Sequence, residues 1–203
     1  MSAADEIGQG PVRPGDGSGA SSGPADGAGA EPSGPADFAR MCLAALVRGE
    51  RPPEPLEGGI YGRRAACFVS LKRGGELRGC IGTLLPAEVD LGHEIVRNTA
   101  AAAFSDPRFP PVGPDEVEGL SCSVDVLGPP EPTDLAGLDP RRYGVIVSAG
   151  GRRGVLLPDL PGVDTVAQQV GIALQKGGIS PDEPFAVERF TVERFREGDD
   201  APA

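Results

Sequence analysis

Residues 65–83 read AACFVSLKRGGELRGCIGT, and this stretch decides the fold. The run from Ala65 to Arg73 predicts a strand, Gly74-Gly75 a two-residue hairpin turn, and Glu76 to Thr83 the returning strand. A two-residue loop implies a register with Leu71 opposite Arg78, Val69 opposite Cys80 and Phe68 opposite Ile81. Side-chain alternation then places Arg78 and Cys80 on one face, with Leu77 and Ile81 on the other. The same register sets Cys67 opposite Gly82, diagonal to Cys80 and too distant for an unstrained disulfide, so both thiols are expected free.

Working outward, Asp90 is positioned to cap a helix whose Leu91, Ile95, Thr99 and Ala102 face inward, and the chain breaks again at Asp106-Pro107 before a strand at Leu120 to Leu127. The second half follows the same order. Gly144 to Ala149 and Arg152 to Pro158 flank a Gly150-Gly151 turn, Asp164 caps a helix to Lys176, Gly177-Gly178 stops it, and Phe185 to Phe195 makes a long last strand. Val69-Ser70 and Arg78-Gly79-Cys80 parallel Val147-Ser148 and Arg153-Gly154-Val155; either the chain is internally duplicated or Gly-Gly hairpins simply look alike. Ahead of the first hairpin, Asp37 caps a helix with Phe38, Met41, Cys42, Ala45 and Leu46 on one stripe and Gly49 after it. Tight hairpins demand antiparallel neighbours. The expected class is therefore α+β, with antiparallel sheets from two β-β-α-β-like units forming two packed subdomains, plus an N-terminal helix.

The chain has 203 residues, with 31 Gly and 22 Pro. Of the first 36, 26 are Gly, Ala, Pro or Ser, a composition too poor in large apolar groups to offset the entropy of ordering. Residues 1–36 are expected to be a disordered tail, 37–197 the folded domain and 198–203 a disordered C-terminus. A domain of that size buries roughly 70 per cent of its unfolded surface and needs no disulfide or metal to hold it. The net charge of -11 argues against non-specific nucleic-acid or anionic-membrane binding. Neither a leader-like apolar region nor a run near the ~20 residues of a bilayer span is present, and the four Cys form no CxxC pair, so a cytoplasmic protein with reduced thiols is expected. The lone His and dispersed thiols offer no metal-ligand spacing, and no Walker or dinucleotide fingerprint points to a cofactor.

Leu77-Arg78-Gly79-Cys80-Ile81-Gly82-Thr83 is an unusual strand, because two glycines flank a cysteine and weaken it unless a ligand or another backbone approaches closely. A guanidinium beside a thiol favours the thiolate, which makes Cys80 a candidate nucleophile. Against this, Cys is a small and commonly buried hydrophobe. His93, thirteen residues on in a helix's first turn, reads as a solvated side chain more than as a base for Cys80. Arginine pairs occur at Arg63-Arg64, Arg141-Arg142 and Arg152-Arg153; if one pair converged with Arg78 and Arg108, the forks would hold a small carboxylate or phosphate anion.

Taken in order, LRGCIGT, DPRFPP at Asp106 to Pro111, GVLLP at Gly154 to Pro158 and QKGGI at Gln175 to Ile179 resemble the AMMECR1 family over residues 38–196. Its prokaryotic members include the AmmeMemoRadiSam system protein A. The resemblance implies a two-subdomain α+β fold, association with a Memo-type protein and a radical S-adenosylmethionine protein, and a cleft beside the RGC motif. On this chain the cleft residues it implies are Arg78, Gly79, Cys80, Gly82, Thr83, Asp106, Arg108 and Phe109. It supplies no reaction and no cofactor. Three functional readings stay open: a partner module of a Memo/radical-SAM-associated system, a thiol-dependent enzyme or enzyme subunit acting on a small anionic substrate, and an anionic-ligand or RNA binder, which the acidic net charge disfavours.

Overall fold

Each half of the chain builds a four-stranded antiparallel sheet whose last strand comes from the other half. The computed structural model describes residues 31–198, so the expected tail through residue 30 and the end of the chain from residue 199 lie outside the described residues. The first helix, α1 (Pro35–Val47), begins ahead of Asp37. Gly34 occupies the cap and Pro35 the first turn, where its missing N–H is no loss. Asp37 sits inside that turn and accepts from the Gly198 N–H at 3.2 Å. Pro35 and Ala36 are buried.

Strands β1 (Cys67–Arg73) and β2 (Glu76–Gly82) form the expected Gly74-Gly75 hairpin. Asp90 caps α2 (Leu91–Phe104) by accepting from the His93 N–H at 2.9 Å. Strand β3 (Leu120–Leu127) returns beside β1, and β4 (Glu131–Thr133) follows it. In the second half, β5 (Gly144–Ala149), β6 (Arg152–Leu156) and α3 (Val166–Gly177) repeat the pattern, then come β7 (Ala186–Phe190) and β8 (Val192–Arg196). The cap of α3 is Thr165, not Asp164: its hydroxyl accepts from the Gln168 N–H while Gln168 reaches back to the Thr165 N–H. Gly178, at φ 62°, ends the helix in the left-handed region.

The sheet orders are β2-β1-β3-β8 and β4-β7-β5-β6. Hairpin, helix and third strand are thus topologically equivalent in the two halves, and the fourth strands are exchanged. The long strand expected over Phe185 to Phe195 is correspondingly two strands in two sheets, divided at Thr191. The two exchange points touch: the Gly128 N–H donates to the Thr191 carbonyl at 2.9 Å, and a β-carbon on Gly128 would lie 2.4 Å from the Thr191 hydroxyl. Counting back from each turn, Leu71 and not Val69 is the counterpart of Val147.

The first core lies between the inner face of the first sheet (Cys67, Val69, Leu71, Cys122, Val124, Val126) and the two helices, which contribute Phe38, Leu43, Leu91 and Ile95. Its outer face carries Phe68 and Leu127, which pack with Ile146, Val155 and Leu157 of the second half. A separate core of Val145, Val147, Val170, Ala173 and Leu174 lies under α3.

Both hairpins are pressed against their helix at a glycine. A β-carbon on Gly79 would meet the Ala102 carbonyl oxygen at 2.3 Å, and one on Gly154 the Ala173 carbonyl at 1.8 Å with the Gly177 nitrogen at 2.8 Å. Another backbone, and no ligand, is what these glycines admit. Gly154→Ala should therefore cost about 3 kcal/mol, at the upper end of overpacking changes. Gly151→Ala, where nothing lies within 4 Å, should cost less than ~1 kcal/mol. Urea denaturation of the two variants checks the contrast.

Candidate functional site

Position 78 is where the hairpin departs from the simple register. Lys72 pairs with Leu77, but Leu71 pairs with Gly79, Ser70 with Cys80, Val69 with Ile81 and Phe68 with Gly82. Arg78 is the additional residue of a β-bulge, a device that re-aims a side chain. Its guanidinium grips Glu116 through Nε and Nη2, both at 2.9 Å, and Nη2 also reaches the Pro111 carbonyl at 3.4 Å. Cys80 instead faces outward beside Ser70, whose hydroxyl donates to the thiol at 3.2 Å.

Strand β2 is a sheet edge, so the outward N–H and C=O of Cys80 need partners. The DPR segment supplies both. Asp106 Oδ2 accepts from the Cys80 N–H at 2.9 Å, and Arg108 Nη2 donates to the Cys80 carbonyl at 3.1 Å. The two side chains are joined, with Arg108 Nε on Oδ1 at 2.9 Å and Nη2 on Oδ2 at 2.7 Å. Phe109 lies beneath the guanidiniums of Arg78 and Arg108, at 5.9 and 5.5 Å from its ring centroid. The carboxylate and guanidinium therefore do the work of an adjacent strand, which is a physical reason for the two signatures to occur together.

Hydrogen bonding from Arg108, opposed by burial and aided by the Cys80 N–H, holds the Asp106 carboxyl well below the usual carboxylate range. Arg78, with the Gly113 N–H, brings Glu116 down to about 2. Burial pushes the Cys42 and Cys67 thiols up to about 12 and raises Cys122 as well. Those three cysteines are buried, and Cys80 is the partly exposed one; all four are free, as expected for Cys67 and Cys80.

Thr83 donates its hydroxyl to Glu94, a fully buried carboxylate that also accepts from the Ala87 and Glu88 N–H groups at 2.8 and 2.9 Å and from Asn98 at 3.3 Å. Glu94 anchors the loop between β2 and α2. An acid in the first turn of a helix reads as a complement to the helix dipole, so nothing in the sequence marked its burial. Gly82 is required by Phe68, whose ring would lie 2.4 Å from a β-carbon there. His93 is half-exposed and paired with Asp90 at 2.8 Å.

The Cys80 thiol lines a cleft of about 330 Å³ between the two halves, with apolar walls from Phe68, Leu84, Leu157 and Leu160 and with Arg153 and Lys176 on its border. Arg78, Asp106, Arg108 and Phe109 do not line it. Among the described residues no three His, Cys, Asp or Glu side chains gather as a metal site, and no helix is long and apolar enough to cross a membrane.

An α+β domain of two strand-exchanged halves, with an RGC edge strand capped by a DPR loop, is the class that the fold and these contacts define. The sequence profile of AMMECR1 matches residues 36–197, and the chain belongs to that family. A protein of Thermotoga maritima is 53% identical over 148 residues, which cover 71% of this chain and 85% of that one. Protein CA_C1420 of Clostridium acetobutylicum is 49% identical over 130 residues, 64% of this chain and only 28% of that longer protein. The crystal structure of uncharacterized protein PH0010 from Pyrococcus horikoshii superposes with a TM-score of 0.74 at 29% identity, covering 81% of this chain and 90% of that one.

Because the native pKa values of Asp106 and Glu116 lie below their unfolded values, both groups stabilise the fold above about pH 4 and lose that contribution as pH falls through the native values. The urea midpoint should decline between about pH 5 and pH 2. Glu116→Gln should flatten part of that decline. Asp106→Asn, which leaves Arg108 without its carboxylate, should cost about 2 to 3 kcal/mol at pH 7.

Proposed function

We propose that the domain is a non-catalytic partner module of a Memo/radical-SAM-associated system, and that the partner's docking point is the Cys80 cleft. The observation that carries this reading is that each charged motif residue is ion-paired within the chain, with only the Arg78 Nη1 among their buried nitrogens left without a partner. Arg78 is committed to Glu116, and Asp106 and Arg108 to each other and to the Cys80 backbone. Among the described residues no carboxylate or imidazole is hydrogen-bonded to the Cys80 thiol; its polar neighbours are the Ser70 hydroxyl and the Arg108 guanidinium. General acid–base chemistry needs a titrating group within hydrogen-bond reach of the reacting atom. Apolar walls bordered by Arg153 and Lys176 suit an apolar side chain next to an acidic group, presented by a Memo-type or radical-SAM protein.

The thiol-enzyme reading draws on one observation: Cys80 alone among the cysteines is partly exposed, and it opens into a cleft with two cations. Such a site would take a small anionic substrate. Two measurements separate the readings. Titration calorimetry against purified Memo-type and radical-SAM proteins of the same organism should give saturable binding. Lys176→Glu, on the exposed last turn of α3, should weaken it about tenfold or more with the melting temperature unchanged. Iodoacetamide should modify Cys80 no faster than an ordinary free thiol. Markedly faster alkylation, or binding indifferent to both Lys176→Glu and Cys80→Ala, would overturn the module reading.

A further inference from the structure

Four arginines meet on a part of the surface away from the RGC and DPR signatures. Arg141 and Arg142 lie in the loop ahead of β5, Arg194 and Arg196 stand on β8, and with Pro158, Asp159 and Val192 they line a cleft of about 230 Å³. Sheet register separates this cleft from Cys80. Arg196 is opposite Ser123, Ser123 opposite Ser70 and Ser70 opposite Cys80, so Arg196 and the thiol are three strand spacings apart, about 14 Å.

In a chain of net charge -11, guanidiniums gathered in one concavity repel one another unless an anion stands between them. Among the described residues, the acids around Arg141, Arg142 and Arg194 answer only part of the charge of these three. Asp125 grips Arg194 at 2.6 and 3.2 Å and so fixes its orientation. Arg141 reaches Asp164 only at 3.7 Å, with both side chains largely exposed, a geometry of little energetic weight. Among the described residues Arg142 has no carboxylate partner; its guanidinium rests 5.5 Å from the Tyr143 ring centroid. Asp159 lines the cleft and attracts Arg194 electrostatically, with no ion pair within 4 Å among the described residues. It is the one non-glycine described residue with positive φ, at 54°, and its N–H is tied to the Pro140 carbonyl at 2.8 Å. That bond joins the backbones of the two loops that carry the cleft, just ahead of the arginine pair.

We infer that this cleft binds a small phosphate-bearing anion, with the Arg141 and Arg142 forks as its principal donors, Arg194 as a fixed cationic wall and Asp159 as a carboxylate that limits affinity. Several convergent planar forks suit a tetrahedral group with three or more acceptor oxygens better than a single carboxylate, which one fork satisfies.

Inorganic pyrophosphate is the probe, titrated calorimetrically into the full chain at constant ionic strength set with chloride. Saturable binding at one site is expected. Arg142→Ala should weaken it about tenfold or more. Asp159→Asn should tighten it several-fold, since a carboxylate leaves the cleft and Asn accepts the left-handed backbone as readily as Asp. Arg64→Ala removes an equal charge elsewhere and should leave the affinity unchanged. Absence of saturable binding overturns the inference, as does equal weakening by Arg64→Ala and Arg142→Ala. If Arg142→Ala fails to fold by circular dichroism, the sign of the Asp159→Asn change decides: tighter binding supports the site, and unchanged or weaker binding rejects it.

Discussion

In both halves a helix carbonyl occupies the place where any residue but glycine would put its β-carbon. That steric fact sets the height of α2 over the first hairpin and of α3 over the second. In the first half its reach is longer, because Ala102 stands four residues ahead of Asp106. Seating the end of α2 on Gly79 delivers the Asp106 carboxylate to the N–H of Cys80, the next residue of the strand. Helix packing, edge closure and the course of the 106–111 loop are one connected arrangement. In the second half the same place is taken by Gly177, whose nitrogen would stand 2.8 Å from a β-carbon on Gly154.

This arrangement changes what the charged motif residues mean. Asp106 with its depressed pKa, buried and next to a cysteine, has the profile usually associated with a catalytic carboxylate. Its surroundings explain that pKa by the Arg108 pair first, with the Cys80 N–H adding to it and burial opposing it. Side chains stay partly open instead in the thiol cleft between the halves and in the arginine cleft at the far end of the same sheet face.

Much of the architecture was legible because its signals are local. Gly-Gly between apolar runs specifies a hairpin wherever it sits, and Asp90 caps its helix as read. Two of the errors share a cause, in that each concerns a contact distant in sequence. The bulge at Arg78 arises because Gly79 must meet α2 while the guanidinium must meet Glu116, and no spacing rule on the hairpin itself encodes either demand. No Gly, Pro, Asn or Asp interrupts the run from Phe185 to Phe195, so the passage from one sheet to the other is silent in the sequence. Asp164 and Thr165 are both good caps, and only the reciprocal bond with Gln168 selects Thr165. The glycines of the RGC motif were correctly read as places of close approach, but what approaches at Gly82 is the Phe68 ring.

The strand exchange also bears on how the chain reaches its native state. Strand β8 closes the sheet begun by β1 more than a hundred residues earlier, and β4 closes a sheet most of which is not yet synthesised when β4 leaves the ribosome. Neither sheet can reach four strands on its own, so neither half is a stopping point on the folding route. Pairings of such long sequence separation slow folding, because loop-closure entropy comes before the contacts that offset it. The nascent first half meanwhile carries β3 with an unpaired flank. Once Gly128 and Thr191 have crossed, pulling the halves apart means breaking two ladders at once, which makes the molecule a single cooperative unit despite its two cores.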